Sequence, residues 1–297
     1  MFKVKIATAP CSWGVWHADG SPSMTSWETF LNEAVEAGYE ALELGPFGFL
    51  PTERKKLQEE LRLRNMTVCA GTLAVALDRL HSFNDIADKL DTVCSHLSEN
   101  HIGKLVIMDG SDVGENGEKK RALCKDDWKR KFQLIKTIGY FANDLYGILP
   151  VFHPHIGSLI ETEAEIDLLL NRCSIKLCLD TGHHAYANSA TTEKDTSVVD
   201  FIAGHADSIE YLHFKNVNPD VLSVVRREGI PPRKAFSMGV MCELDKGIVD
   251  FPKVREILER IGFDGIGVVE TDIPNPMPGE AFRIAKRNLD YLKSIGF

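Results

Sequence analysis

The chain has 297 residues, 44% of them hydrophobic, and its 34 Lys+Arg against 43 Asp+Glu leave a formal net charge of −9. A negative chain lacks the cationic footprint on which nonspecific nucleic-acid and membrane-surface binding rest, so a small-molecule partner is expected, with no nucleic acid and no membrane. No apolar run approaches the ~18 residues that cross a bilayer, and a chain of this length can bury about 75% of its unfolded surface in one large α/β fold without disulfides or structural metals.

The N-terminus enters an alternating strand pattern directly, without the apolar stretch and small-residue cleavage site of a secretory leader, which predicts a cytoplasmic chain used as written. The first strand, Lys3–Pro10, runs into Ala9-Pro10-Cys11-Ser12-Trp13-Gly14. Thr25 and Glu28 then read as a capping box for a helix over 25–38, with Trp27, Phe30, Leu31, Ala34 and Val35 as its apolar stripe and Gly38 as its C-terminal cap. A strand at Ala41–Gly45 places Glu43 among inward positions, and a helix over 52–65 opens at Thr52 with Glu53 at its positive end. Strands at Thr67–Leu73 and Lys104–Asp109 follow, with helices over 83–100 and 126–146, the latter weakened or broken at Gly139. The second half repeats the pattern. Strands at Leu149–Pro154, Ile175–Asp180, Ser208–Asn216 and Gly265–Thr271 alternate with helices over 161–171, 195–206, 250–262 and 279–295, the first opened by Thr162 with Glu165.

Eight strand–helix pairs predict a single-domain (β/α)8 TIM barrel over 1–297, with an inserted segment at about 217–249. The competing open sheet would carry a glycine-rich phosphate turn after its first strand, and neither GxGxxG nor GxxxxGK[ST] is present. The seven cysteines, at 11, 69, 94, 124, 173, 178 and 242, are odd in number and form no CxxC, so reduced thiols are expected.

In such a barrel the chemistry collects where strands end at their C-terminal side. Four successive strands end in ionisable groups: Phe152-His153-Pro154-His155, Leu179-Asp180-Thr181-Gly182, Leu212-His213-Phe214-Lys215 and Val269-Glu270-Thr271-Asp272. Singly each is ordinary, since an Asp before Thr-Gly caps a turn and a strand histidine is usually a packing residue. Together, Asp180, His213 and Glu270 form a carboxylate and imidazole set suited to Mn2+, Co2+ or Mg2+. The strand-five ligand is left between Glu161, His153 and His155, with Glu161 favoured narrowly; its ordinary role is an acidic residue in the first turn of a helix. Lys215 shares parity with His213 and so points into the same mouth, as acid, base or fixed positive charge. His183 and His184 are expected on a loop one turn beyond Asp180, one of them near a substrate hydroxyl. Glu43 is a buried carboxylate that must be paired or used.

Ala9-Pro10-Cys11-Ser12-Trp13-Gly14, Glu43-Leu44-Gly45-Pro46-Phe47, His153-Pro154-His155-Ile156-Gly157-Ser158, Leu179-Asp180-Thr181-Gly182-His183, Leu212-His213-Phe214-Lys215-Asn216 and Val268-Val269-Glu270-Thr271-Asp272 together resemble the xylose-isomerase-like TIM-barrel sugar isomerase/epimerase superfamily and, within it, the inosose dehydratases. The resemblance covers almost the whole chain. It implies a divalent metal, Mn2+ or Co2+ first and Mg2+ or Zn2+ as alternatives, held by residues matching Asp180, His213 and Glu270. Many relatives place a Glu on strand five where this chain has Val151 followed by two histidines. The segment after strand seven resembles an insertion that covers the site, from which Arg226 and Arg233 are candidates to reach substrate, alongside Trp13 and His183. The implied activity is dehydration of a cyclic polyhydroxy ketone, 2-keto-myo-inositol to a dione. Lys215 or Glu43 is expected to abstract the proton, with His153 or His155 protonating the leaving group. A keto-sugar isomerase or epimerase using the same site, and a non-catalytic sugar-binding barrel, are the competing readings. A DNA-cutting relative with a trinuclear cluster is disfavoured by the net charge. Homo-oligomerisation, common among such proteins, is a further expectation.

Overall fold

The computed structural model describes residues 4–111, 123–191 and 193–297, so Lys3 of the first predicted strand lies outside the described residues. Eight parallel strands close into a barrel: β1 (Lys5–Thr8), β2 (Ala41–Glu43), β3 (Thr67–Val75), β4 (Lys104–Asp109), β5 (Leu149–His153), β6 (Lys176–Asp180), β7 (Ile209–Phe214) and, eighth around the ring, β10 (Ile266–Val269). Round the barrel the order is β1-β10-β7-β6-β5-β4-β3-β2. Two short antiparallel strands, β8 (Asn216–Val217) and β9 (Met241–Cys242), pair outside it and bring together the two ends of the segment between residues 217 and 241.

The barrel interior is filled by small residues, Ala7, Ala41 and Ala70, with Val106, Val151 and one large ring, Tyr211. The Tyr211 hydroxyl donates to Cys69 Sγ at 3.0 Å, which satisfies the single polar atom of that ring. A separate, larger apolar layer lies between strands and helices. Alternation of side chains across each strand produces these two cores, one face serving the barrel and the other the helices.

The helices are α1 (Trp27–Ala37), α2 (Arg54–Leu63), α3 (Ala87–Glu99), α4 (Lys125–Tyr140), α5 (Glu163–Leu170), α6 (Thr181–Asn188), α7 (Ser197–Gly204), α8 (Pro219–Glu228), α9 (Pro232–Ser237), α10 (Phe251–Arg260) and α11 (Glu280–Ser294). Two helix starts and one expected break differ from the sequence reading in instructive ways. α1 is capped by Ser26, which accepts from the Thr29 N–H at 3.2 Å, in place of Thr25 with Glu28. Glu53, not Thr52, caps α2, its carboxylate accepting from Lys55 and Lys56 N–H groups. Gly139 does not break α4, which runs through it and passes into a π-helical turn over Phe141–Leu145. The Thr162–Glu165 capping box and the left-handed Gly38 cap stand as read. Among the described residues, no helix is long and apolar enough to cross a membrane.

α6 occupies residues expected to form a loop. Asp180 is both the last residue of β6 and the N-cap of α6, so no turn separates the two. α8 and α9 lie within the inserted segment, the first bounded by Asn218 and Pro219 at its start and by Gly229 in the left-handed region at its end.

Candidate active site

Asp180 shows how the fold aims a functional side chain. Its Oδ1 accepts from the Gly182 and His183 N–H groups, each at 2.8 Å. Those two bonds fix the carboxylate and leave Oδ2 turned into the barrel mouth, buried and without a hydrogen-bond partner. The first turn of α6 is in turn pinned to the end of β7. Thr181 Oγ1 donates to Lys215 O at 2.7 Å and accepts from Lys215 N at 3.0 Å. Gly182 is required at this contact, because a Cβ there would stand 2.8 Å from both Cβ and Cγ of Lys215.

His213, on β7, is oriented from the other side. Its Nε2 lies 2.9 Å from Glu43 Oε1, a carboxylate also bonded by Thr72 Oγ1 at 3.2 Å. This pair leaves Nδ1 as the free ring nitrogen, unpartnered and facing Glu270 Oε2 at 3.3 Å and Asp180 Oδ2 at 3.8 Å. Donor atoms about 2.0–2.2 Å from a shared ion in a tetrahedral set stand roughly 3.3–3.6 Å apart. Glu270 Oε2 meets that spacing from His213 Nδ1 and Asp180 Oδ2 stands slightly beyond it; His213 and Glu270 converge with Glu43 in one group of possible metal donors, and Asp180 converges with His153 and His183 in another. Glu43 takes the part of the outer carboxylate that orients a ligating histidine.

The strand-five donor in this neighbourhood is His153. Its unpartnered Nδ1 is buried, and its ring stacks on His183 at 5.2 Å and meets His213 edge-on at 4.8 Å. His153 joins Asp180 and His183 in one convergent donor group, whereas Glu161 joins none among the described residues and does not line the cavity. Glu161 donates its N–H to Glu165 Oε2 at 2.9 Å as part of the α5 capping network. The structure places Glu161 at the start of α5, outside the cavity lining, while β5 itself ends in His153.

Lys215 sits at the centre. Its ammonium lies 2.7 Å from Asp272 Oδ2, 3.0 Å from Glu270 Oε2, 3.1 Å from Asp180 Oδ2 and 3.3 Å from His183 Nε2. Burial opposes its charge, but the carboxylates of Asp180, Asp272 and Glu270 outweigh burial and hold Lys215 a cation, well above the usual lysine range. Asp272, despite the burial that favours its neutral form, is pulled down to about 2, chiefly by Lys215. The His153 ring is driven well below the usual histidine range by burial and by the facing His213, and burial with His183 takes His155 down to about 3. His213 goes the other way: burial favours its neutral ring, yet Cys178, Glu270 and Glu43 raise it well above the usual value. Without a metal ion, Lys215 is thus held as a cation and His153 and His155 as neutral rings.

Glu43, His153, His213, Lys215, Glu270 and Asp272 line one cavity of about 690 Å³ at the C-terminal mouth, together with His155, His183 and Arg233, whereas Asp180 does not border it. Two other candidates lie elsewhere. Trp13 is 1% exposed, packs edge-on against Phe30 and donates Nε1–H to Glu33 Oε2 at 2.6 Å, so it belongs to the core around α1. Trp16, three residues on, is the tryptophan that lines the cavity. Arg226 spends its guanidinium on the carbonyls of Tyr186, Ser189 and Thr191 at the end of α6, a structural tie away from the mouth. His184 is turned away too, its Nε2 2.9 Å from Glu163 Oε1. Asp272, Trp16 and Phe236 were not singled out in the sequence. Asp272 carried a signal in its parity with Glu270, whereas nothing local marks Phe236, which reaches the cavity only through the docking of α9.

The profile of the xylose isomerase-like TIM barrel family matches residues 31–295. Inosose dehydratase of Bacillus licheniformis is 28% identical over 94% of this chain and 94% of that protein. Among solved structures, the probable 3-DHS dehydratase AsbF of Bacillus anthracis superposes with a TM-score of 0.74 at 16% identity, over 98% of this chain and 99% of that one. The IOLI protein, solved with a binding zinc atom, gives a TM-score of 0.71 at 15% identity over 99% of both chains.

Proposed function

Because this chain belongs to the xylose isomerase-like TIM barrel family, we propose that it is a metal-dependent hydro-lyase that dehydrates a cyclic polyhydroxy ketone, 2-keto-myo-inositol or a close analogue, to the corresponding dione. Its likeness to inosose dehydratases extends over nearly the full length of both chains. The observation that carries the reading is the buried convergence of Asp180 Oδ2, His213 Nδ1 and Glu270 Oε2 beside the Lys215 ammonium.

Asp180, His213 and Glu270 would hold a divalent ion, with His153 as the strand-five donor or as a base beside it; Mn2+ and Co2+ suit the mixed nitrogen and oxygen donors. When bound, such an ion supplies Lewis acidity to the substrate's carbonyl and neighbouring hydroxyl, which acidifies the adjacent C–H. A neutral imidazole, His153 or His155, takes that proton. As the carbon–carbon double bond forms, the β-hydroxyl leaves with its electron pair and takes a proton from the Lys215 ammonium, so that water is released; the enol left behind takes a solvent proton at the β-carbon and loses its hydroxyl proton, which gives the dione. Proton transfer from the imidazolium back to the lysine restores both groups. Glu43 keeps the His213 ring in place, and Arg233 and His183 face the ring hydroxyls.

The test is to strip the protein with a chelator, restore Mn2+ or Co2+, and follow dione absorbance from 2-keto-myo-inositol. Signal that requires metal and disappears in Asp180→Asn supports the proposal. Stoichiometric metal without dione overturns it, and leaves the keto-sugar isomerase reading as the next assay.

A further inference from the structure

We infer that the substrate is a keto-polyol ring bearing an apolar substituent through one of its oxygens, and that the side of the cavity away from the ionisable cluster receives that substituent. The inference rests on the proposed function and narrows its substrate class.

The order of strands divides the mouth. β5, β6, β7 and β10 are consecutive round the barrel and carry His153, Asp180, His213 and Glu270. Continuing past β5, the parallel register sets Met108 of β4 beside His153, and Ala74 of β3 beside Met108. At the height of His153 the wall thus turns from imidazole to thioether and then to a single methyl. Ala74 is exposed between buried Leu73 and Val75, because it faces the open cavity. The loops after β1 and β2 extend this side with Trp16, 36% exposed, and Phe47, 37% exposed. From the inserted segment, Phe236 meets Trp16 edge-on at 6.4 Å and lies over His155 at 6.4 Å, bridging the apolar and ionisable sides. The ammonium of Lys89, which also borders this region, is engaged by Ala74 O at 3.1 Å.

Size makes the same point. A cavity of about 690 Å³ lies within the range of roughly 300–1,000 Å³ that encloses ligands of drug size. A bare six-membered polyol ring engaged by the ionisable cluster leaves most of that space unfilled, and among the described residues the space left over is walled mainly by aromatic and aliphatic groups, with Thr72, Ser111 and His17 as polar neighbours. Burying apolar surface there is favourable by about 25 cal/mol per Å², which an unsubstituted ring does not use.

The experiment compares unreactive probes by calorimetry on the Mn2+-loaded protein: phenyl β-D-glucoside, methyl β-D-glucoside and phenol. Phenyl glucoside is expected to bind about tenfold or more tighter than methyl glucoside, and tighter than phenol, with the phenyl-to-methyl ratio falling towards one in Ala74→Leu, which fills the space. Phe236→Ala gives a second reading of the same ratio if the leucine variant does not fold. A ratio near one in the wild-type protein, a ratio that survives both substitutions, or phenol binding as tightly as phenyl glucoside would each overturn the inference. A ratio near one with metal-dependent dehydration of the unsubstituted ketone intact removes this inference alone. Absent dehydration with the ratio intact removes the proposed reaction alone.

Discussion

Asp180 divides its two oxygens between folding and chemistry, and the division can be tested by substitution. Oδ1 holds the first turn of α6 through two N–H donors, while Oδ2 has no hydrogen-bond partner in the mouth. Asp180→Asn preserves an acceptor for the cap but removes a charge beside Lys215, so it is expected to keep the α6 cap while losing metal in a loading assay. Asp180→Ala loses both, with a capping cost of about 0.5–2 kcal/mol. Lys215 predicts a second effect. Its ammonium offsets Asp180, Glu270 and Asp272 within a buried cluster, and removing one partner of a buried charge set costs about 3–5 kcal/mol. Lys215→Met is expected to destabilise the metal-free protein by that amount in urea unfolding, and added Mn2+ to restore a large part of it; equal stability with and without metal would contradict the shared-charge account. Asp180, His213, Lys215 and Glu270 were legible as a set because each closes an apolar run, where the fold exposes strand ends to one mouth. Trp13 and Arg226 misled for a shared reason: the partners that claim them, Glu33 on α1 and the carbonyls at the end of α6, are tertiary neighbours that no local pattern reveals.

Helix starts and contacts between elements carry the next set of expectations. A methyl at position 182 would meet Lys215 Cβ and Cγ at 2.8 Å, so Gly182→Ala must push α6 away from β7 or move the lysine. Overpacking of this kind costs about 1–3 kcal/mol. Activity measured as kcat/KM is expected to fall about tenfold or more while the barrel still folds. The α2 cap predicts a pH effect. Hydrogen bonds from the Lys55 and Lys56 N–H groups lower the Glu53 pKa below its ordinary value. A depressed carboxyl contributes stability above the unfolded pKa and loses it as pH falls through the folded one. Glu53→Ala should therefore lower Tm at pH 7, with the gap from wild type narrowing as pH falls below about 4 and closing once pH has passed the lowered Glu53 value of the folded protein. The eight barrel strands were readable because apolar runs and turn residues alternate regularly. α6 was not, since Thr181-Gly182-His183-His184 has poor helix propensity and its cap doubles as a strand residue. α8 had readable ends in Asn218, Pro219 and Gly229, but they sit in a segment read only as an insertion.

At the scale of the molecule, closing the barrel converts distances along the chain into a single buried cluster. Glu43 and His213, on β2 and β7, stand 2.9 Å apart only because the ring closes. The number of strand–helix units and the polar strand ends showed the architecture and the mouth in advance. The places of Glu161, His153 and His155 relative to the mouth were not readable from sequence, because the three are close in the chain and only the end of β5 separates them in space. The central claim is that this cluster directs loss of water from a cyclic keto-polyol. Mass spectrometry of the product formed from 2-keto-myo-inositol in deuterated buffer, with Mn2+ restored to stripped protein, tests it most directly. The account predicts a product that has lost one oxygen as water and carries one carbon-bound deuterium from conversion of the enol to the dione, formed only with metal. A product that keeps every oxygen and merely gains deuterium beside the carbonyl would contradict it, since the same site would then reprotonate the ring without expelling its hydroxyl.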